Sequence, residues 1–234
     1  MDEIGELQFV QTTKARYIRI TLKPSGIVRV TVPGNATIEQ AKAFVETKIE
    51  WIKQKRAEIS VNKNKKIIFT PQTVFSLRNR QLQLKPWKSE QYRTQLSKES
   101  LTIFFPCNVD IQSDKTQKII HDYIVKAIRE EAKDYLPKRT KELAAIHNFS
   151  YRNVRVKNLS SRWGSCSTDN NINLNIHLVR LPQHLCDYVI LHELVHTVHK
   201  NHKEIFWQSL DKITEGKAKL LAKEMKQEHW INIA

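Results

Sequence analysis

Apolar and polar residues alternate in two short runs near the start of the chain. Ile18, Ile20 and Leu22 alternate with Arg19 and Thr21, and Val28, Val30 and Val32 alternate with Arg29 and Thr31. Period-two patterning on both sides of Pro24-Ser25-Gly26 predicts a hairpin with one buried face. The period then lengthens. Thr37-x-x-Gln40 has the form of a capping box, and Ala41, Phe44, Val45, Ile49 and Ile52 share one face of the helix it starts. Residues 63–66 form a polar linker, and short apolar runs predict strands near 67–69, 75–77, 82–84 and 101–105. Asp114-x-x-Gln117 opens a long amphipathic helix through Tyr135, Pro137 ends or restarts it, and a second helical piece runs to about Ile146. No internal repeat or low-complexity segment is visible.

The second half changes character again. A strand near 151–157 leads into a loop at 162–167. Ile172, Leu174, Ile176 and Leu178 then alternate with Asn171, Asn173, Asn175 and His177, a strand with one core face and one face of amides and an imidazole. Leu185, Val189, Leu191, Leu194, Val195 and Val198 fit a buried helix, and a charged helix with Leu210, Ile213, Leu220 and Leu221 follows Trp207. The expected fold class is α+β. A β-rich region with one long helix covers 1–113, and a helical domain with a short antiparallel sheet covers 114–234.

The buried helix carries His192-Glu193-Leu194-Val195-His196. Histidines four apart lie one turn above each other on one helix face, where a single Zn2+ can take both. Glu193 between them is placed to act as a base toward water. His199 is seven residues past His192, a helical rise of about 10.5 Å, too far for both to share one ion. His202 can reach it only if the helix ends first. Asn201-x-x-Glu204 reads as a capping box that starts a new helix, with His202 on its first turn. Glu204 and Glu215 are the rival third donors. The spacing from His196 to His202 is that of the metzincins, but His199 stands where those enzymes carry glycine. Met225, the one methionine after the motif, lies in a charged helical stretch rather than a Met-turn.

Two blocks extend the motif. One is Asp187-Tyr188-Val189-Ile190-Leu191-His192-Glu193-Leu194-Val195-His196, continued by Asn201-His202 and Phe206-Trp207. The other is Arg162-Trp163-Gly164-Ser165-Cys166-Ser167, followed by Ile172-Asn173-Leu174-Asn175. On these blocks the chain resembles the YgjP-like metallopeptidase family, related to the WLM and SprT-like zincins, most strongly over about 154–207. The resemblance implies a zincin-like catalytic fold with His192, His196 and His202 as metal ligands and Glu193 as general base. It leaves the substrate open. SprT-like relatives act on proteins attached to DNA, and nucleotide hydrolysis has also been linked to the YgjP name.

The resulting expectation is a zinc metallopeptidase with one Zn2+ per chain and a polypeptide substrate. Arg162, His177 and Tyr188 are candidates to stabilise a developing oxyanion. Asn175 and His177 are candidates to touch substrate from the strand before the metal helix. Two other classes compete. One is a metal-dependent nucleoside triphosphate phosphohydrolase, weakened by the lack of a P-loop or acidic metal cluster. The other is a nucleic-acid-associated protein with a structural metal, which would have no use for Glu193; a protease stimulated by DNA would merge it with the first reading. The net charge of +15 attracts phosphate-bearing partners. It is spread over Lys53, Lys55, Arg56, Lys63, Lys65 and Lys66 and over Arg152, Arg155, Lys157 and Arg162, without a nucleic-acid motif. Three scattered cysteines (Cys107, Cys166 and Cys186) and no Cys-x-x-Cys argue against a disulfide framework and for a reducing compartment. Met1-Asp2-Glu3-Ile4 is no signal peptide, and no apolar run approaches the roughly 18 residues of a membrane span. A cytoplasmic protein without a membrane partner is expected, of open oligomeric state.

Overall fold

The computed structural model describes residues 4–23, 26–63, 67–78 and 80–228, the side chains of 58–63 excepted. The chain forms two compact units that divide at Ile67/Ile68. The boundary drawn from the sequence at 113/114 falls within the second unit, where the Gln117 side chain donates to and accepts from the Phe69 backbone, at 2.8 Å in each case.

In the first unit, β1 (Leu7–Thr12), β2 (Arg19–Leu22) and β3 (Val28–Pro33) form a sheet in the order β1-β3-β2. The expected hairpin is the antiparallel pair β2–β3. Gly26 takes a left-handed φ of 88° and donates to the Lys23 carbonyl at 2.8 Å; Pro24 and Ser25 lie outside the described residues. Val28, Val30 and Val32 are fully buried against Ala41, Val45 and Ile52. The Thr37–Gln40 capping box forms in both directions, at 2.9 and 3.2 Å. The expected single helix is two, α1 (Ile38–Glu46) and α2 (Ile49–Lys63). Thr47 interrupts it, its hydroxyl donating to the Phe44 carbonyl at 2.8 Å. Of the expected 63–66 linker, residues 64–66 lie outside the described residues.

The second unit begins with β4 (Gln81–Trp87), β5 (Arg93–Leu96) and β6 (Ser100–Pro106) in the order β4-β6-β5. The runs near 67–69 and 75–77 form no strand beyond a Ser76–Gln81 bridge. After α3 (Asp114–Ile146), a third sheet of β7 (Asn153–Lys157), β8 (Gly164–Cys166) and β9 (Asn171–Asn175) has the order β7-β9-β8. All three sheets share one wiring. The first strand runs parallel to the third, and the second runs antiparallel to it. The sheet expected to be antiparallel in 114–234 is therefore mixed. The predicted alternation holds to Asn175, with Ile172 and Leu174 fully buried, and then turns into a 3-10 helix, Ile176–Arg180. Three helices complete the unit, α4 (Gln183–Val195), α5 (Glu204–Ile213) and α6 (Ala218–Gln227). The fold class is α+β.

Helix α3 is continuous through Pro137, where the sequence suggests an end. Proline removes one backbone donor, but the buried stripe Ile120, Ile124, Ile128, Ala132, Leu136 and Thr140 runs on without interruption. Ser113 caps the helix, accepting from the Thr116 amide at 3.3 Å. This helix holds the one that bears the histidine motif. Arg139 donates twice to Asp187 of α4, both at 2.8 Å, and the Tyr135 hydroxyl donates to Gln183 at 2.9 Å. The guanidinium and carboxylate are 26% and 16% exposed, so the pair is largely shielded from water. Arg139→Ala is expected to lower stability by about 2–3 kcal/mol, the range for a hydrogen-bonded charged pair. A shift in urea midpoint with unchanged slope would register it.

No helix among the described residues is long and apolar enough to cross a membrane.

Candidate metal centre

Helix α4 is buried nearly all round, through Leu185, Cys186, Tyr188, Val189, Ile190, Leu191, Leu194 and Val195. Its last turn bears His192, and His196 is its C-cap residue. Thr197 and Val198 turn the chain out of the helix, and Lys200 then ties the following loop to the β8–β9 turn. The Lys200 ammonium donates to the Ser167 carbonyl at 3.1 Å and to the Asn170 side chain. The expected capping box does not form. Asn201 accepts from the Lys203 amide at 3.3 Å, closing a local turn, and Lys203 is the N-cap of α5. His202 therefore stands in the loop before α5, not on its first turn. The loop folds back far enough for this imidazole to meet the other two.

The His202 Nε2 lies 3.0 Å from His192 Nε2 and 3.1 Å from His196 Nε2. His196 Nδ1 lies 2.9 Å from the His199 carbonyl, which can only accept, so the ring proton is on Nδ1 and Nε2 presents a lone pair. Burial and the neighbouring imidazoles push the His192 pKa down to about 3, favouring its neutral form as well. Neutral nitrogens converging at such distances suit a shared cation. Tetrahedral donors around zinc would stand about 3.3 Å apart. Among the described residues these three imidazoles are the one group of metal-donor side chains so gathered. The rival donors point to other partners. Glu215 pairs with Lys217 at 3.0 Å, and Glu204 accepts from Gln208 at 3.3 Å. His199 contributes its carbonyl, while its ring meets the Ser209 hydroxyl at 3.0 Å.

Phe206 forms the floor. It is fully buried, and its ring centroid is 4.9, 4.5 and 4.7 Å from those of His192, His196 and His202. Nothing in the local sequence pattern shows that Phe206 contacts all three imidazoles. Phe206→Ala is expected to cost about 3–5 kcal/mol, measurable by denaturant unfolding in the presence of a chelator.

Glu193 is 5% exposed, and its Oε2 has no hydrogen-bond partner among the described residues. Burial pushes its carboxyl up to about 8, against the opposing positive charge of exposed Arg162. Gly164 of β8 presses on this carboxylate. A Cβ there would lie 2.6 Å from Oε1 and 2.8 Å from Cγ. The two blocks separated in sequence thus meet at Gly164 and Glu193, a contact the sequence does not announce.

The four lesser candidates fall into two groups. Tyr188 is one turn before His192, with ring centroids 6.1 Å apart, and burial raises its phenol to about 12. Arg162 acts on Glu193 through its charge, and its backbone carbonyl is held by Asn175. Asn175 itself is fully buried. Its amide donates to the Leu159 and Arg162 carbonyls at 2.8 and 2.9 Å, pinning the loop that delivers Gly164. His177 belongs to the 3-10 helix, not to an exposed strand face. Burial, with the charges of Arg180 and His121 nearby, pushes it down to about 4. The strand edge beside Glu193 is that of β8, because β9 is central.

No curated protein matches this chain. Two solved structures are similar to part of it. The metallopeptidase zymogen of Pyrococcus abyssi abylysin is 22% identical with a TM-score of 0.35, covering 38% of this chain and 89% of that one. The metallopeptidase zymogen of Methanocaldococcus jannaschii jannalysin is 24% identical with a TM-score of 0.35, covering 38% of this chain and 92% of that one. The sequence profile of the YgjP-like metallopeptidase domain matches residues 16–228, nearly the whole chain, and the protein belongs to that family.

Proposed function

We propose that this metallopeptidase-family protein is a zinc-dependent peptidase in which His192, His196 and His202 hold one Zn2+ and Glu193 is the general base. The observation that carries the reading is the convergence of three imidazole Nε2 atoms, at 3.0 and 3.1 Å, beside a buried carboxylate with an unpartnered oxygen. All-imidazole donor sets suit zinc better than magnesium or calcium. When bound, zinc supplies Lewis acidity, polarising a peptide carbonyl and acidifying water. With that cation beside it the Glu193 carboxyl would be ionised despite its burial, free to take the proton from the attacking water and return it to the leaving amine. Our candidates to steady negative charge on the carbonyl oxygen are Tyr188, beside His192, and Arg162, whose charge acts on Glu193. Every one of these residues lies in 114–234, the region read from sequence as catalytic. Free Cys107, Cys166 and Cys186 fit a reducing, cytoplasmic setting.

The test is mass spectrometry on the full chain incubated with a denatured protein mixture and nucleoside triphosphates. About one zinc per chain is expected by elemental analysis. New peptides should appear, vanish on chelation and return with Zn2+. Nucleoside mono- or diphosphates without new peptides would overturn the peptidase reading in favour of phosphohydrolysis.

A further inference from the structure

A cavity of about 470 Å3 opens directly beside His192 and His202. His192, Glu193 and His202 form its polar edge. Its apolar side chains come from four separate elements. Tyr188 and Val189 are one turn below His192 and Glu193 on α4, Trp163 precedes β8, Trp207 is on α5, and Ala222 and Met225 share a face of α6. Trp163, Trp207 and Ala222 keep part of their surface exposed, so the fold has not used up this apolar area in its own core. The volume falls within the range of sites that enclose small organic groups.

The structure assigns this cavity to a bulky apolar side chain of the substrate, at a residue flanking the attacked peptide bond; the assignment rests on the peptidase reading above. Continuity fixes the location, since the residues that would perform the chemistry are themselves one wall. Chemistry fixes the class. An acidic side chain would lose its water against the indoles, Val189 and Met225. A lysine or arginine could pair only with Glu193, the group needed as base. Glycine or alanine would leave the tryptophan faces wet. Leucine, methionine and phenylalanine match the lining, in which Met225 is an adaptable side chain.

The experiment uses the full, zinc-loaded chain carrying Glu193→Gln, so that peptides bind without being cut. Blocked pentapeptides with a central leucine, phenylalanine, glycine or aspartate and alanine elsewhere are titrated, read by calorimetry. Leucine and phenylalanine peptides are expected to bind on the order of 10- to 100-fold tighter than the glycine peptide. Adding Ala222→Trp, which fills the cavity from a partly exposed helix position, should erase that difference. Met225→Ala, which enlarges the cavity, should shift preference toward phenylalanine and serves as an independent check if the filled variant is not helical by circular dichroism. Equal binding of all four peptides, or a leucine preference untouched by both variants, overturns the assignment. The same peptides are offered to wild-type protein. Preferential binding without any cleavage would sink the peptidase reading and leave the cavity's selectivity standing. Cleavage at equal rates without preferential binding would do the opposite.

Discussion

Glu193→Gln protein is expected to keep its zinc and to hydrolyse peptides about 1000-fold more slowly than wild type, within the range for removal of a general base. The substitution preserves shape, which matters here because Glu193 is 5% exposed and Gly164 lies against it. An amide fits the same space but cannot take a proton at neutral pH. The three imidazoles do not rely on Glu193 for a hydrogen bond, so metal content should hold. Single-turnover assays at saturating substrate, alongside elemental analysis, separate the two properties. Activity within tenfold of wild type would remove Glu193 from the base role. Loss of zinc together with activity would recast it as a structural support of the site.

Gly164→Ala is expected to reduce kcat by about 100-fold with little change in KM or zinc content, the penalty for moving a reacting group by about 1 Å. The new methyl carbon would lie 2.6, 2.8 and 2.9 Å from Oε1, Cγ and Cδ of Glu193. Something must yield, and the strand is poorly placed to do so. Gly164 is paired in register with Leu174, and the Asn175 amide donates to the Trp163 carbonyl next door at 2.9 Å. The carboxylate therefore moves. Backbone conformation is not the issue, because Gly164 does not occupy the left-handed region; what a side chain lacks there is room. Wild-type kcat in Gly164→Ala would mean that β8 gives way instead.

Local chemistry was legible in the sequence wherever a short pattern dictates it. The Thr37 capping box, the β2–β3 hairpin and the buried core face of β9 each depend on residues within a few positions of one another. The pairing of His192 and His196 is what helix geometry requires; His202, favoured over Glu204 and Glu215, does join them, although the capping box expected to break the helix before it does not form. Features set by distant partners were not legible. Strand β1 is half-buried and paired in parallel with β3, so its pattern alone carries little signal, and β5 is exposed at every position. Pro137 reads as a helix end until the continuous buried stripe of α3 is seen to override it. Asn175 and His177 continue the alternation in sequence, yet the backbone changes to a 3-10 helix after Asn175, and the Asn175 amide closes on carbonyls 16 and 13 residues away.

The shared wiring of the three sheets bears on the order in which the protein folds. Each sheet takes all its strands from one stretch of chain, 7–33, 81–106 and 153–175, so none waits for a remote segment. Closing such short loops costs little chain entropy, and local pairing of this kind favours rapid formation. The docking of α4 on α3 is different. It joins Arg139 to Asp187 and Tyr135 to Gln183, partners 48 residues apart. By sequence separation alone the histidine-bearing helix is expected to dock late, so that the imidazole triad would come together after the sheets have formed.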